Sequence, residues 1–137
     1  MTNVLIVEDS LDDLFLLRRI FNKLKLEHQI QSVQDGDAAI RYLEDPTKPR
    51  PKLILLDLHL PKVSGFEVIA WVRGHSELRN LPIVILTSSS EPQDLKRAYD
   101  LGANGYLVKP GVLDQLQTMM QASSDFWLES NQVPAWA

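Results

Sequence analysis

Leu53-Ile54-Leu55-Leu56-Asp57 is a run of apolar residues that ends on a charged side chain, and the pattern recurs twice: Val4-Leu5-Ile6-Val7 ends on Glu8-Asp9, and Tyr106-Leu107-Val108 ends on Lys109-Pro110. A run that is apolar at every residue has no solvated face. It reads as a strand covered by helices on both sides, which is the situation of a parallel sheet. In open sheets of that kind the ligand site lies outside the carboxyl ends of the strands. Glu8, Asp9, Asp57 and Lys109 are therefore predicted to converge. Carboxylates massed at one point repel one another and raise each other's pKa unless a cation sits among them, while an adjacent lysine suits a phosphate. The cluster reads as a magnesium and phosphoryl site.

Outward from these runs, strand-like and helix-like periods alternate. After the first strand, Ser10 caps a helix whose apolar positions Leu14, Leu17, Phe21 and Leu24 share one face. A short strand, Ile30 to Val33, follows. Asp35-Gly36 is expected to turn the chain into a second helix, Ala38 to Leu43, which Pro46, Pro49 and Pro51 terminate. Phe66, Ile69, Ala70 and Arg73 suit a third helix and Ile83 to Thr87 a fourth strand; Leu95, Ala98 and Tyr99 mark a fourth helix ended by Gly102. Gly105 to Val108 is the fifth strand, and Val112 or Leu113, Leu116, Met119 and Met120 line a last helix running to Phe126 or beyond. The fold class is α/β: a five-stranded parallel sheet with helices on both faces, because each right-handed crossover lays its helix against the sheet.

The chain of 137 residues is long enough for one domain with a substantial core, and its 45% hydrophobic and 23% charged residues are ordinary for a globular protein. No apolar run spans a bilayer, and Met1-Thr2-Asn3 leads into a strand without a basic segment, so neither a membrane segment nor an export signal is expected. The expected location is the cytoplasm. Absence of cysteine excludes disulfides and thiol chemistry. A net charge of −4 without a basic stripe gives no reason to expect nucleic-acid binding.

Several motifs at fixed positions resemble one family, the receiver domains of two-component response regulators, with a flavodoxin-like (βα)5 fold. They are Glu8-Asp9; Asp57 with Pro61 and Gly65 following; Thr87-Ser88; and Gly102-Ala103-Asn104-Gly105-Tyr106-Leu107-Val108-Lys109-Pro110. The resemblance runs from residue 3 to about 125, giving a receiver domain over 1–126 and a C-terminal extension over 127–137. Leu56-Asp57-Leu58-His59-Leu60-Pro61 and the Phe126-Trp127 extension further look like the small stand-alone regulators paired with cyanobacterial phytochromes.

The resemblance implies that Asp57 accepts a phosphoryl group from a histidine kinase, with a phytochrome as the candidate, in a magnesium-dependent reaction. Asp9 and Asp57 are the expected direct metal ligands, with Glu8 reaching through water and the backbone carbonyl of His59 completing the set. Lys109 is expected to pair with a phosphoryl oxygen and the Thr87 hydroxyl to donate to another. Thr87 and Tyr106 are the expected switch. The His59 side chain, two residues past the nucleophile, stands where it can tune hydrolysis; His28 and His75, lacking partners at metal spacing, read as surface residues. Such a protein catalyses only its own phosphorylation and dephosphorylation.

The alternatives are a pseudo-receiver that binds proteins independently of phosphorylation, and an aspartate-nucleophile phosphatase. The intact acidic set speaks against the first. The second needs another aspartate two positions after the nucleophile, where this chain has His59. At the far end, Phe126, Trp127, Val133, Pro134 and Trp136 put too much aromatic and apolar area into a chain terminus to be left in water, which predicts a homodimer. Folding of the tail onto its own domain is the competing expectation.

Overall fold

Strands and helices alternate as the sequence predicts. The computed structural model of the chain describes residues 3–134, with the side chain of His28 left aside; the expectations for Met1-Thr2, the His28 side chain and Trp136 lie outside the described residues. The elements are β1 (Val4–Val7), α1 (Leu11–Lys23), β2 (Ile30–Val33), α2 (Gly36–Glu44), β3 (Leu53–Leu56), α3 (Gly65–Gly74), β4 (Ile83–Thr87), α4 (Pro92–Leu101), β5 (Gly105–Val108) and α5 (Leu113–Ser124). A 3-10 turn, Glu27–Gln29, leads into β2, and a π-helical turn, Asp125–Ser130, continues α5.

All neighbouring strands are parallel, in the order β2-β1-β3-β4-β5. From β1 the chain first steps outward to β2, then crosses back over β1 to β3 and proceeds the other way. The two directions part between β1 and β3, so the crevice at their carboxyl ends is where this topology leaves room for a ligand. Every residue of β1, β3 and β4 is buried. Alternate side chains supply two cores. Leu5, Val7, Ile54, Leu56, Ile83 and Ile85 meet Ala39, Leu43, Val68, Ile69, Val72 and Ala98 from α2, α3 and α4. On the other face Val4, Ile6, Leu53, Leu55, Val84 and Leu86 meet Leu14, Leu17, Ile20 and Phe21 from α1, and Leu116 and Met120 from α5. At about 1.5–3 kcal/mol per fully buried aliphatic side chain, these two layers dominate stability.

Local signals start and stop the helices. Ser10 caps α1 by accepting from the Asp13 N–H, and Ser64 and Glu67 form a reciprocal capping box at the start of α3. Gly102 ends α4 at φ 112°, a left-handed conformation that costs glycine little. At the amino end of β4 and β5 the Arg73 guanidinium donates to the carbonyls of Gly102, Arg79 and Leu81 and to Asn104 Oδ1, an oxygen that also accepts from the Ile83 N–H.

Three expectations need correction, and α4, which forms as expected, lays little of its apolar surface against the core. Asp35-Gly36 is not a turn before a helix starting at Ala38: Asp35 is itself the cap, accepting from the Ala38 N–H at 2.7 Å, and α2 starts at Gly36. The Tyr106-Leu107-Val108 run is not buried on both faces, because β5 is the sheet's edge; its residues are half-buried and Val108 is exposed. In α4 only Ala98 is buried, while Leu95 and Tyr99 lie at the surface. His75 is half-buried and not a free surface residue: its ring lies 5.1 Å from that of Trp71, and its Nδ1 is buried without a hydrogen-bond partner among the described residues.

Candidate functional site

Parallel pairing carries on for one residue past each strand and aims the acidic residues. The Glu8 N–H donates to the Val33 carbonyl at 3.1 Å, the Asp57 N–H to Val7 at 3.0 Å and the Lys109 N–H to Thr87 at 2.8 Å. Glu8, Asp57 and Thr87 are thereby buried at the carboxyl edge, whereas Asp9 is exposed at the rim. Glu8, Asp9 and Asp57 each offer a carboxylate oxygen, and these lie within 4.8 Å of one another. Lys109 Nζ joins them, at 2.5 Å from Glu8 Oε1, 2.9 Å from Asp13 Oδ2 and 3.2 Å from Asp57 Oδ2. The predicted convergence of Glu8, Asp9, Asp57 and Lys109 is what the fold produces.

Asp57 is held at both oxygens. Oδ1 accepts from the Leu58 N–H at 2.7 Å and Oδ2 faces Lys109. The loop behind it is tight: the Gly65 N–H donates to the Leu58 carbonyl at 2.9 Å, and a Cβ on Gly65 would lie 2.2 Å from the Asp57 carbonyl oxygen. Only glycine lets α3 start this close to the Asp57 backbone.

One ammonium among four carboxylates leaves the site short of positive charge. Burial pushes the Glu8 carboxyl up to about 7, against the Lys109 and Ser10 hydrogen bonds that lower it; the charge of Asp57 adds to the rise. Burial also disfavours the charged form of Lys109, but its hydrogen bonds to Glu8 and Asp13 and the charges of Asp57 and Glu8 more than offset this and hold its pKa above the ordinary lysine value. Lys109 is therefore cationic at neutral pH. An all-oxygen donor set with surplus negative charge fits a hard divalent cation such as magnesium, which needs only one or two carboxylates beside its waters.

A second polar chain runs from Thr87 over the start of α4. Thr87 Oγ1 accepts from the Ser89 N–H at 3.3 Å, the Tyr106 hydroxyl donates to the Ser89 carbonyl at 3.0 Å, and Ser89 Oγ donates to Asp94 Oδ2 at 2.7 Å. The same carboxylate oxygen lies 3.2 Å from His59 Nε2. The Ser89 hydroxyl holds the Asp94 carboxyl below its usual value against a smaller rise from burial, and the His59 ring adds to the lowering. His59 is thus tied to α4.

Sequence reasoning missed Asp13 and Asp94. Asp13 had a signal: it lies in the first turn of the helix that follows the Glu8-Asp9 strand end, three residues after the capping Ser10, and so near the same edge of the sheet. Asp94 had none, since its contact with His59 depends on how α4 is laid across the sheet.

Comparison with known proteins agrees with this geometry. The model of the response regulator receiver domain matches residues 4–121. The chain is 38% identical over 136 residues to the response regulator Rcp1 of Synechocystis, covering 96% of this chain and 92% of Rcp1. It is 37% identical over 134 residues to a probable methanogenesis regulatory protein, FilR2, of Methanothrix harundinacea, covering 96% of this chain and 86% of that protein. Among solved structures, the phosphorylated cyanobacterial phytochrome response regulator RcpA superposes with a TM-score of 0.90 at 33% identity, over 98% of this chain and 99% of the other. The Mn2+-bound form of Rcp1 gives 0.88 at 38% identity, over 98% and 100%. Sheet order, acidic crevice and sequence similarity lead to one conclusion: the chain belongs to the response regulator receiver domain family.

Proposed function

We propose that the protein is a phosphorylation-dependent switch that takes a phosphoryl group from a histidine kinase onto Asp57. The observation that carries this reading is the placement of Asp57 beside Glu8, Asp9 and Lys109 at the crevice between β1 and β3. Asp9 and Asp57 would hold magnesium directly, Glu8 through water and His59 through its backbone carbonyl. Magnesium there supplies the neutralising charge that phosphoryl transfer needs. A carboxylate oxygen of Asp57 attacks phosphorus, the bond from phosphorus to the donor breaks, and the donor leaves with the electron pair. Lys109 turns a donor to one phosphoryl oxygen and the Thr87 hydroxyl donates to another. Incubation with magnesium and a small acyl phosphate should add the mass of one phosphoryl group, and excess chelator should prevent it. An unlabelled protein would instead favour the pseudo-receiver reading.

Drawing Thr87 towards a phosphoryl group moves Ser89 with it, because the Ser89 N–H is bonded to the Thr87 hydroxyl. The Tyr106 hydroxyl then loses its acceptor on Ser89 and the ring is free to follow into the space Thr87 leaves. The surface of α4, β5 and α5 is the proposed output face, read by a downstream protein. Thr87→Ala should leave labelling largely intact while removing the amide shift changes in that region. Equal changes in wild type and variant would refute the coupling.

The partner kinase in this reading is itself a phytochrome or paired with one, supported by likeness to a cyanobacterial phytochrome response regulator. Among the described residues no helix is long and apolar enough to cross a membrane, and we place the protein in the cytoplasm. A phosphatase reading is disfavoured, since His59 stands where a second aspartate is required.

We further propose a homodimer through the C-terminal end. The boundary between receiver (1–126) and extension (127–137) is one of motif, for the extension is not free: Leu128 is buried in the domain's own core and Trp127 packs beside it. Phe126, edge-to-face with Trp127 at 4.9 Å, stays 52% exposed and is left to meet a partner. Phe126→Ser should convert a dimer to a monomer in sedimentation equilibrium at high micromolar concentration. A monomeric wild type, or a variant that still dimerises, would rule this contact out.

A further inference from the structure

Lys109 spreads its donors over three carboxylates, of which Glu8 and Asp57 belong to the acidic cluster and Asp13 does not. Asp13 stands on the first turn of α1, where the bond from its own N–H to the Ser10 hydroxyl fixes the backbone. Among the described residues Lys109 is its ionic partner and no other cation reaches it. The cleft that Asp13 and Lys109 share is otherwise walled by Leu16, Leu17, Leu86, Pro110 and Leu116, so Asp13 is the polar group on that side of the ammonium.

We infer that Asp13 is a positioning residue for Lys109: it anchors the ammonium from α1 and so leaves a donor to reach a phosphoryl oxygen on Asp57. The inference rests on the proposed phosphoryl transfer. When Glu8 and Asp57 are engaged in that transfer, Asp13 is the acceptor that remains to the lysine. Without it the ammonium falls onto Glu8 and Asp57, the oxygens that the reaction needs free, and reaches the phosphoryl group in poorer alignment. An ammonium has three donors and no acceptor, so anchoring one of them on Asp13 sets where the other two point.

The test is the initial rate of labelling by a small acyl phosphate at saturating magnesium, read by intact mass. Asp13→Asn should label about three- to tenfold more slowly, the effect of one partly screened, charge-assisted contact. Asp13→Glu, which keeps the charge on the same turn, should recover most of the loss. Because Asp13 acts through Lys109, Asp13→Asn should change nothing further in a Lys109→Met protein, whose slow labelling is followed over longer times. A rate for Asp13→Asn equal to or above wild type overturns the inference. So does an equal slowing in both backgrounds, or no recovery in Asp13→Glu. A wild-type protein that does not label at all overturns the reading of the site itself, and this inference with it.

Discussion

Asp57→Asn protein, given magnesium and a small acyl phosphate, is expected to gain no phosphoryl group. The substitution keeps shape and volume, so the Leu58 N–H still finds an acceptor at the position of Oδ1. What disappears is the nucleophile. An amide oxygen carries no full charge to attack phosphorus, and one carboxylate donor to the metal goes with it. The labelling rate should fall by at least about a thousandfold, the scale seen when a nucleophile is removed. Glu8, Asp9 and Asp13 lie close by, and each is a carboxylate that could in principle substitute. Glu8 is held in a similar way, Oε2 accepting from the Ser10 N–H and Oε1 facing Lys109, but burial pushes its carboxyl up to about 7 and makes it the weaker nucleophile; Asp9 lies exposed at the rim and Asp13 on α1. Labelling of the variant at a neighbouring residue at the wild-type rate would mean that convergence of charge, and not the identity of Asp57, decides where the phosphoryl group goes.

Gly65→Ala should damage both stability and labelling, although it adds only one carbon. Its Cβ would lie 2.2 Å from the Asp57 carbonyl oxygen and 2.7 Å from Leu58 Cα, well inside contact distance. Neither side can yield cheaply. Asp57 is tied to β1 through the Val7 carbonyl, and Gly65 begins a helix locked by the Ser64–Glu67 capping box. Overpacking against backbone typically costs about 1–3 kcal/mol and here should reach the upper end or beyond, visible as a lower urea midpoint. If α3 moves away instead, Asp57 moves with its loop and labelling slows. Gly74→Ala is the matched control: nothing lies within 4 Å of its added Cβ, so its stability should stay within about 0.5 kcal/mol of wild type. A Gly65→Ala protein with wild-type stability and rate would show that the loop is far softer than its contacts imply.

How far the chain could be read without coordinates depends on whether a signal is local. Val4–Val7, Leu53–Leu56 and Ile83–Thr87 were legible because burial on both faces leaves no polar residue in the run. Ser10 and Gly102 were legible because caps obey local backbone rules. Tyr106-Leu107-Val108 has the same composition but lies at the edge, and strand order is a property of the whole sheet. Leu95 and Tyr99 sit at helical spacing yet face solvent, because the contact of α4 with the sheet is made by Ala98. Phe126 and Trp127 are adjacent and diverge in fate, since a continuing helix turns successive side chains to different sides. At the site, the charges that meet were visible as strand endings; Asp13 and Asp94 reach it from helices, where sequence position alone does not fix direction.

The Arg73 guanidinium has a consequence at the opposite end of the molecule. By holding the carbonyls of Gly102, Arg79 and Leu81 together with the Asn104 side chain, it rivets the lower margins of β4 and β5 to the segment that follows α3. Planar and many-toothed, it resists sliding as well as separation. The two strands therefore behave like prongs clamped at the root. A disturbance at their tips cannot be dissipated by one slipping past the other, and must be spent in the loop between Thr87 and Pro92 and in the Tyr106 ring beside it. In the proposed switch, a phosphoryl group on Asp57 would therefore act sideways across the top of the sheet, the foundation being too rigid to carry the change down.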